Sequence, residues 1–319
     1  MYDVVIVGAG PAGLTAAVYA QRSGMSSLIV ESGPPGGYAA LAPLLENVPA
    51  FPEGISGPDL SARLVEQALH HGAVMESDKV RELQVNGPAD FIIKGQSKEY
   101  LGRSVIVASG THYKHLGIKS EVEFLGRGVS YCATCDGMFY KGLKVAVAGG
   151  GNSAITEALY LANLAEKVYV IHRRDELRAE EALQQRLFAT ENCEVIWNSV
   201  VKDIQGSDFV EKLTLENTVT SGSSELAVDG IFVSIGVLPQ VGFLGELVDY
   251  AEGDFVVTDE LMKTKTPGLY AAGDVRSKEL RQIVTACADG AIAATSAHDY
   301  LAEHDPRFTK QPDRLRGEE

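Results

Sequence analysis

The feature that most constrains this chain is that it carries the same motif twice. Residues 4–20, VVIVGAGPAGLTAAVYA, align with residues 145–161, VAVAGGGNSAITEALYL, at an offset of 141 positions, apolar run on apolar run and glycine turn on glycine turn. Each copy reads as a short buried strand, a Gly-x-Gly-x-x-Gly/Ala turn and a helix with small residues on the strand-facing side. A further strand follows in each, at 26–31 and 167–172, which completes a β-α-β unit. A chain of 319 residues has room for two cores of ordinary size. The expected fold class is therefore α/β, with two Rossmann-like three-layer dinucleotide-binding domains.

The rest of the pattern places the two units. A helix at 58–72, several strands and the apolar strand at 104–110 lie between them. After the second come alternating segments near 210–215 and 225–235, then PGLYAAGD at 267–274 and a helix around 281–302. LYAAGD has the form of another strand ending in a ligand-facing turn, so the C-terminal segment is expected to rejoin the first domain. The second domain, 115–242, is then an insertion between 1–114 and 243–319, with crossings near 113–117 and 241–245. The final polar stretch, 303–319, is expected to fray.

Composition removes several classes of function. A formal net charge of −15 argues against nucleic acid or anionic membrane as a partner, because such binding is supplied by Lys and Arg. The 33 glycines fall in short clusters, as in loops fitted around ligands. The start, MYDVVIVGAG, has no basic region and its apolar run is too short to cross a bilayer, so a cytoplasmic location is the expectation.

In the first unit Gly8 permits the tight turn, Gly10 lets backbone N–H groups approach a pyrophosphate and Gly13 allows close helix–strand packing. The phosphates would sit at the positive end of the helix. Glu31, at the end of the second strand, can hold a ribose hydroxyl. In the second unit the turn is Gly149-x-Gly151-x-x-Ala154, and the position matching Glu31 is His172, which opens HRRDELR. With Arg173, Arg174 and Arg178 it makes the ribose end positive, which suits a 2′-phosphate and favours NADPH over NADH. The competing reading makes these arginines a solvated helix start paired with Asp175, Glu176, Glu180 and Glu181.

Cys132 and Cys135, in CATCD, stand just ahead of the second glycine turn. A spacing of i, i+3 at a turn or helix start brings the sulfurs within bonding range, and helix-terminal N–H groups stabilise a thiolate. A redox-active pair is favoured; zinc would need two further ligands at metal spacing, and a structural buried pair is the other alternative. Asp136 could exchange a proton with a thiol if burial raises its pKa, or could simply cap a helix. Cys193 and Cys287 read as small, mostly buried hydrophobes.

Together, GAGPAG, CATCDG, GGGNSA, HRRDELR and TPGLYAAGDV followed by RQ resemble the low-molecular-weight thioredoxin reductases over nearly the whole chain. The resemblance implies FAD held by Gly8, Gly10, Pro11, Ala12, Gly13, Glu31 and Ser32, and by Gly36, Gly37 and Asn47. It extends to Val80, Ser109 and Gly110 and to the late Gly273, Asp274, Arg281, Gln282 and Ile283. It implies NADPH held by Gly151, Asn152, Ser153, Ala154, His172, Arg173, Arg174 and Arg178, with Ile235 and Gly236 near the nicotinamide half. It implies that Cys135 takes electrons from the flavin, that the acceptor is the disulfide of thioredoxin or a thioredoxin-like protein, and that the enzyme is a homodimer whose domains alternate between two orientations. Tyr38 departs from the family's Gly-Gly-Gln and could pack on the flavin or crowd it. Other disulfide acceptors on the same scaffold, a flavin- or NADP-sensing protein without turnover, and a ferredoxin–NADP reductase of similar fold are the alternatives; the last two do not require the cysteine pair.

Overall fold

The computed structural model describes residues 1–42 and 44–309. The chain divides into two compact units, Met1–His112 joined by Leu238 onward, and Tyr113–Val237 between them.

The first unit begins with β1 (Tyr2–Val7), α1 (Pro11–Arg22), β2 (Ser27–Glu31), α2 (Gly57–His70), β3 (Val74–Ser77), β4 (Val80–Gly87), β5 (Asp90–Gly95) and β6 (Glu99–Val107). A short strand, β7 (Thr111–Tyr113), leads into the second unit. That unit runs α3 (Lys119–Glu123), β8 (Val129–Ser130), α4 (Ala133–Asp136), β9 (Lys144–Ala148), α5 (Asn152–Ala162), β10 (Lys167–Ile171), α6 (Glu181–Phe188) and β11 (Cys193–Ile196), then β12 (Ser199–Gly206), β13 (Val210–Asn217), β14 (Ser223–Ala227) and β15 (Gly230–Val233). The chain leaves it through β16 (Val237–Pro239), which pairs with β7, and closes the first unit with β17 (Leu269–Ala271), α7 (Ile283–His304) and α8 (Pro306–Thr309).

In the first unit β1 lies between β2 and β6, all parallel, in the order β3-β2-β1-β6-β5-β4. The nine-residue β6 is long enough to serve two neighbours. Its first half pairs antiparallel with β5, from Phe91↔Gly102 to Lys94↔Glu99, and its second half pairs parallel with β17, Leu269↔Val105 to Ala271↔Val107. LYAAGD thus returns to the first sheet.

Strand period explains the layers. Val4 and Ile6 face one way, onto Leu14 and Ala17 of α1 and Ala293 and Ala297 of α7, whereas Val5 and Val7 face the other way, onto Leu83, Phe91 and Ile93 of the β4–β5 ribbon. Burial on both faces is why this strand reads as a continuous apolar run and not as an alternation. The second unit repeats the plan. β9 is central in β11-β10-β9-β15-β8, Val145 and Val147 pack under Ile155, Ala158 and Leu161 of α5, and Ala146 and Ala148 pack over Val201, Leu213 and Leu215 of the antiparallel β12-β13-β14 sheet. Each fully buried Ile, Leu or Phe in these layers contributes roughly 1.5–3 kcal/mol of transfer free energy.

Two expectations change. The segment 225–235 is two strands in two sheets, β14 and β15, divided where the Asp229 carboxylate accepts from the Lys144 amide at 2.8 Å. The tail does not fray at 303: α7 continues to His304, and Arg307 bonds to Asp305 and Asp3. The remainder of that expectation, 310–319, lies outside the described residues.

Candidate functional site

In both units the glycine turn joins a central strand to a helix, and backbone conformation fixes which residues can form it. Gly8 has φ 111°, and a Cβ there would lie 2.3 Å from the Ala108 carbonyl oxygen; Gly149 has φ 152°, and its Cβ would lie 2.3 Å from that of Ser234. No side-chain-bearing residue fits at either place. Gly10 and Gly151, by contrast, have nothing within 4 Å of an added Cβ, so the space above both turns is open. Pro11 takes the first position of α1, where its missing N–H costs nothing, Ala12 and Gly13 are buried behind it, and Ala154 is buried at the matching place in α5.

Around the first turn the sequence-predicted residues converge. Glu31 accepts from the Ala9 amide (2.7 Å) and the Gly33 amide (2.8 Å), which fixes its carboxylate at the strand end, with the Ser32 hydroxyl 3.5 Å away. The Gly36 amide donates to the Ala9 carbonyl at 2.8 Å, drawing the Gly36–Gly37 loop onto the turn. Asn47 Nδ2 donates to Gln282 Oε1 at 2.9 Å, joining segments 235 residues apart. Gln282 caps α7 in a capping box with Thr285, and Ile283 packs on the small apolar cluster of Leu45, Ile55 and Leu60.

Asp274 follows Gly273, whose amide donates to Asp289 at 3.0 Å. Burial pushes the Asp274 carboxyl up, against the pull of Lys278 and Arg281. Arg281 lies over the Phe255 ring at 4.1 Å. Ser109 and Gly110 are tied to Gln240: the Ser109 hydroxyl donates to its carbonyl at 2.7 Å and the Gly110 carbonyl accepts from its amide at 3.0 Å. Val80 sits in β4, packed on the core beneath the sheet. Tyr38 places its hydroxyl 3.5 Å from His112 Nδ1, with the rings edge-on.

In the second unit Ser234, Ile235 and Gly236 follow β15, with the Ser234 carbonyl against Gly149. Asn152 exchanges two hydrogen bonds with Glu180, and Ser153 is exposed in the first turn of α5. His172 is only 4% exposed, its ring pressed against Gly150, where a Cβ would lie 2.2 Å from Nδ1. Burial pulls its pKa down; the Glu176 backbone opposes this, and Arg178, Arg174 and Arg173 add to it. His172 is thus a neutral ring shaping the turn, and the positive charge expected here comes from the arginines alone.

Residues 172–180 form a loop of bends, not a helix start. The Arg178 amide donates to the Gly150 carbonyl at 2.7 Å, and the Arg174 carbonyl accepts from Asn198 at 3.1 Å. The three arginine side chains are exposed, and among the described residues none forms an ion pair with Asp175, Glu176, Glu180 or Glu181.

Among the described residues, four buried side-chain polar atoms have no hydrogen-bond partner: Ser61 Oγ and Asp274 Oδ1 in the first unit, Glu157 Oε2 and His172 Nε2 in the second. A buried polar atom without a partner costs about 1–3 kcal/mol, so such atoms ask for an explanation. All four lie at the two turns: Ser61 touches the Gly36 loop, and the Glu157 carboxyl neighbours Ser234. Bound nucleotides, rich in hydroxyls and amides, fit that donor set.

Cys132 and Cys135 form a disulfide, with Cα atoms 5.3 Å apart. Cys132 is the N-cap of α4, and its carbonyl accepts from the Cys135 and Asp136 amides. Asp136 is half-buried; burial pushes its carboxyl up, and the Ser130 hydroxyl, donating to Oδ2 at 2.6 Å, opposes this in part. The same hydroxyl accepts from the Cys132 amide at 3.1 Å. Ser130, Glu157, Gln240 and Asp289 were not among the expected site residues. Each is a common residue type outside any motif, and only folding brings it to the site. Cys193 and Cys287 are half-buried, and burial raises both thiols, Cys193 to about 11, so neither is a nucleophile at neutral pH.

Two dinucleotide turns and a disulfide at a helix start define a nucleotide-dependent disulfide oxidoreductase. Residues 2–290 match the pyridine nucleotide-disulphide oxidoreductases, and the chain belongs to that family. Membership makes it an oxidoreductase that binds a flavin and a nicotinamide nucleotide. Its relatives include the thioredoxin reductase of Bacillus subtilis (strain 168), 46% identical over 304 residues, which cover 95% of this chain and 96% of that protein. The thioredoxin reductase of Listeria monocytogenes serovar 1/2a (strain ATCC BAA-679 / EGD-e) is 44% identical over 307 residues, 95% of each. The crystal structure of thioredoxin reductase from Streptococcus pyogenes MGAS5005 superposes with a TM-score of 0.91 at 41% identity, covering 95% of this chain and 99% of that one.

Proposed function

We propose that the chain is an NADPH-dependent thioredoxin-disulfide reductase, with FAD in the first unit, NADPH in the second, and Cys132–Cys135 as the centre that meets the partner. The observation that carries this reading is the Cys132–Cys135 disulfide with the half-buried Asp136, its carboxyl pushed up by burial, just after it and in the same unit as a dinucleotide turn.

Gly8, Gly10 and the first turn of α1 would hold the FAD pyrophosphate, Glu31 a ribose hydroxyl, and Asp274 a flavin hydroxyl through its unpartnered Oδ1. Gly151 and the first turn of α5 would hold the NADPH pyrophosphate, with Arg173, Arg174 and Arg178 on its 2′-phosphate. Bound in this way, the reduced nicotinamide would supply the two electrons, and the flavin would relay them to the Cys132–Cys135 disulfide. One thiolate of the pair then attacks the partner's disulfide, forming a mixed disulfide and releasing one partner thiolate. The second cysteine attacks the mixed disulfide, which restores Cys132–Cys135 and releases the other. Asp136, with its carboxyl raised by burial and oriented by Ser130, is placed to hand a proton to a departing thiolate. Exposed Met138 and Phe139, just past the pair, offer apolar surface to a protein partner. A thioredoxin partner would suit a cytoplasmic location, which we propose. We further propose a homodimer, as in the resembling family.

The test is stopped-flow reduction of the flavin by NADPH and by NADH, followed by thioredoxin. NADPH should reduce the flavin and thioredoxin should reoxidise the dithiol. Cys135→Ser should bind FAD yet reduce no thioredoxin. Arg173→Ala with Arg174→Ala should raise KM for NADPH by about 30-fold, two charge-assisted contacts being worth about 2 kcal/mol or more, and leave KM for NADH within about two-fold. Full thioredoxin turnover in Cys135→Ser would exclude the proposed route, and equal effects on the two nucleotides would remove the phosphate assignment.

A further inference from the structure

Glu121 is 1% exposed and lies on α3, soon after the chain enters the second unit. Its Oε1 accepts from the Leu116 amide at 3.0 Å and from the Tyr131 hydroxyl at 2.7 Å, and its Oε2 accepts from the Gly117 amide at 3.1 Å. A carboxylate removed from water is tolerated only when its lone pairs are engaged, and here three donors engage them. The Tyr131 hydroxyl has one proton. With that proton on Glu121, its oxygen accepts, and His115 Nδ1, 2.7 Å away, must be the donor. The Tyr131 ring also stacks on Tyr113, with centroids 4.8 Å apart and planes 20° from parallel, and meets His115 edge-on.

Tyr131 is the residue immediately before Cys132. Its side chain is held by residues of the 113–121 segment, while Ser130, on its other side, receives the Cys132 amide and bonds Asp136. Two side chains thus fix the backbone that delivers Cys132 to the start of α4. A carboxylate whose task was only to close the 116–117 turn would need the two amides; the third donor, Tyr131, links that turn to the cysteine. Disulfide exchange requires the attacking sulfur to lie along the S–S axis of its target, so small errors in the Cys132 backbone carry directly into rate.

We propose that Glu121, acting through Tyr131, is a positioning residue for the Cys132–Cys135 dithiol. This rests on the reading of that pair as the redox centre. Glu121 touches no reacting atom; it sets the angle at which Cys132 is presented.

The experiment uses the full-length, FAD-loaded enzyme with Glu121→Gln and with Tyr131→Phe. The phenylalanine keeps the stack on Tyr113 and removes only the O–H, so it remains informative if the glutamine variant folds poorly. After reduction by dithiothreitol and its removal, the dithiol is reacted with dithiobis-nitrobenzoate. The rate should fall about ten-fold in each variant, as expected for a misplacement well under an ångström. With thioredoxin, kcat should fall by a similar factor, while KM for NADPH and the rate of flavin reduction by NADPH stay at wild-type values. Glu121→Ala should be slower than Glu121→Gln, which retains one acceptor. Wild-type reagent rates in both Tyr131→Phe and Glu121→Gln would overturn the proposal. So would losses that fall on KM for NADPH as much as on kcat, which would mark a general loss of structure. Failure of the wild-type enzyme to turn over thioredoxin would instead sink the assignment of the partner, and the reagent rates would still decide the role of Glu121.

Discussion

Glu157, on α5 behind the second glycine turn, looks in sequence like any solvated helical glutamate, since its neighbours Thr156 and Ala158 carry no motif. Folding turns it inward beside Ser234, and burial raises its carboxyl to about 7, an effect the Ser234 hydroxyl offsets only in part. A folded-state pKa above the ordinary 4.5 means that the folded protein holds the proton more tightly than the unfolded chain. The associated stability is complete below about 4.5 and is lost as pH rises through about 7. Glu157→Gln, neutral at every pH, should therefore gain on the wild type between pH 5 and pH 8, by on the order of 1–2 kcal/mol after allowance for partial exposure. Urea unfolding without added nucleotide at the two pH values measures this, and a constant difference between the proteins would refute it. The residues that were legible at this scale are those whose chemistry is declared by a neighbour. Asp136 follows Cys135, and Arg173 and Arg174 come directly after His172, which stands where the repeat puts Glu31. Ser130 and Glu121 act on the dithiol from positions whose spacing signals nothing, because the turn of α3 and the reach of β8 bring them there.

Among the elements, the glycine turns and the strands before them were readable because local geometry and tertiary contact agree. VVIV must be buried on both faces, and only glycine fits against the Ala108 and Ser234 carbonyls. The 225–235 segment was not readable as two strands, because β14 and β15 are both alternating or apolar and the break between them is set by pairing with β13 and β9, which is non-local. The loop at 172–180 was likewise set by its hydrogen bonds to Gly150 and Asn198 and not by its own charges. Helix α7 holds a stronger case. A Cβ on Gly290 would lie 2.1 Å from the Ala12 carbonyl oxygen of α1, so the two helices approach at backbone distance behind the first glycine turn. Helix propensity alone predicts that Gly290→Ala stabilises by about 1 kcal/mol. The obstructing atom is backbone and cannot rotate away, so overpacking of about 1–3 kcal/mol should win and Tm should fall. The displaced Ala12 should also loosen the turn, lowering the flavin retained through gel filtration. A rise in Tm with full flavin content would show that α1 and α7 are not in close contact at Gly290.

On the scale of the whole molecule, the repeat identified two units and LYAAGD returned the chain to the first, because a parallel strand beside β6 needs an apolar partner and Leu269–Ala271 provides one. The closure of the chain's ends was hidden, since Asp3, Arg103, Asp305 and Arg307 are scattered charges in a sequence of net charge −15. In the fold they meet. Arg103 lies 3.0 Å from Asp305 and 3.7 Å from Asp3, and Arg307 bonds both aspartates, whose side chains are each 6% exposed. This ties β1 to the segment that follows α7. Hydrogen bonds from Arg307, aided by the charges of Arg103 and Arg307, hold Asp305 down to about 2. A depressed carboxyl contributes stability that is present above its unfolded value of 3.8 and is lost as pH falls towards about 2. Asp305→Asn keeps the shape but removes the charge, leaving two guanidinium groups facing one aspartate. It should lower stability at pH 7 by on the order of 1 kcal/mol, a few degrees in Tm at most for a chain of this size. The gap between the two proteins should narrow by pH 3, as the wild type begins to lose the same charge. Differential scanning calorimetry at pH 7 and pH 3 provides both numbers, and a gap that widens in acid would mean that the aspartate opposes folding instead of closing the ends of the chain.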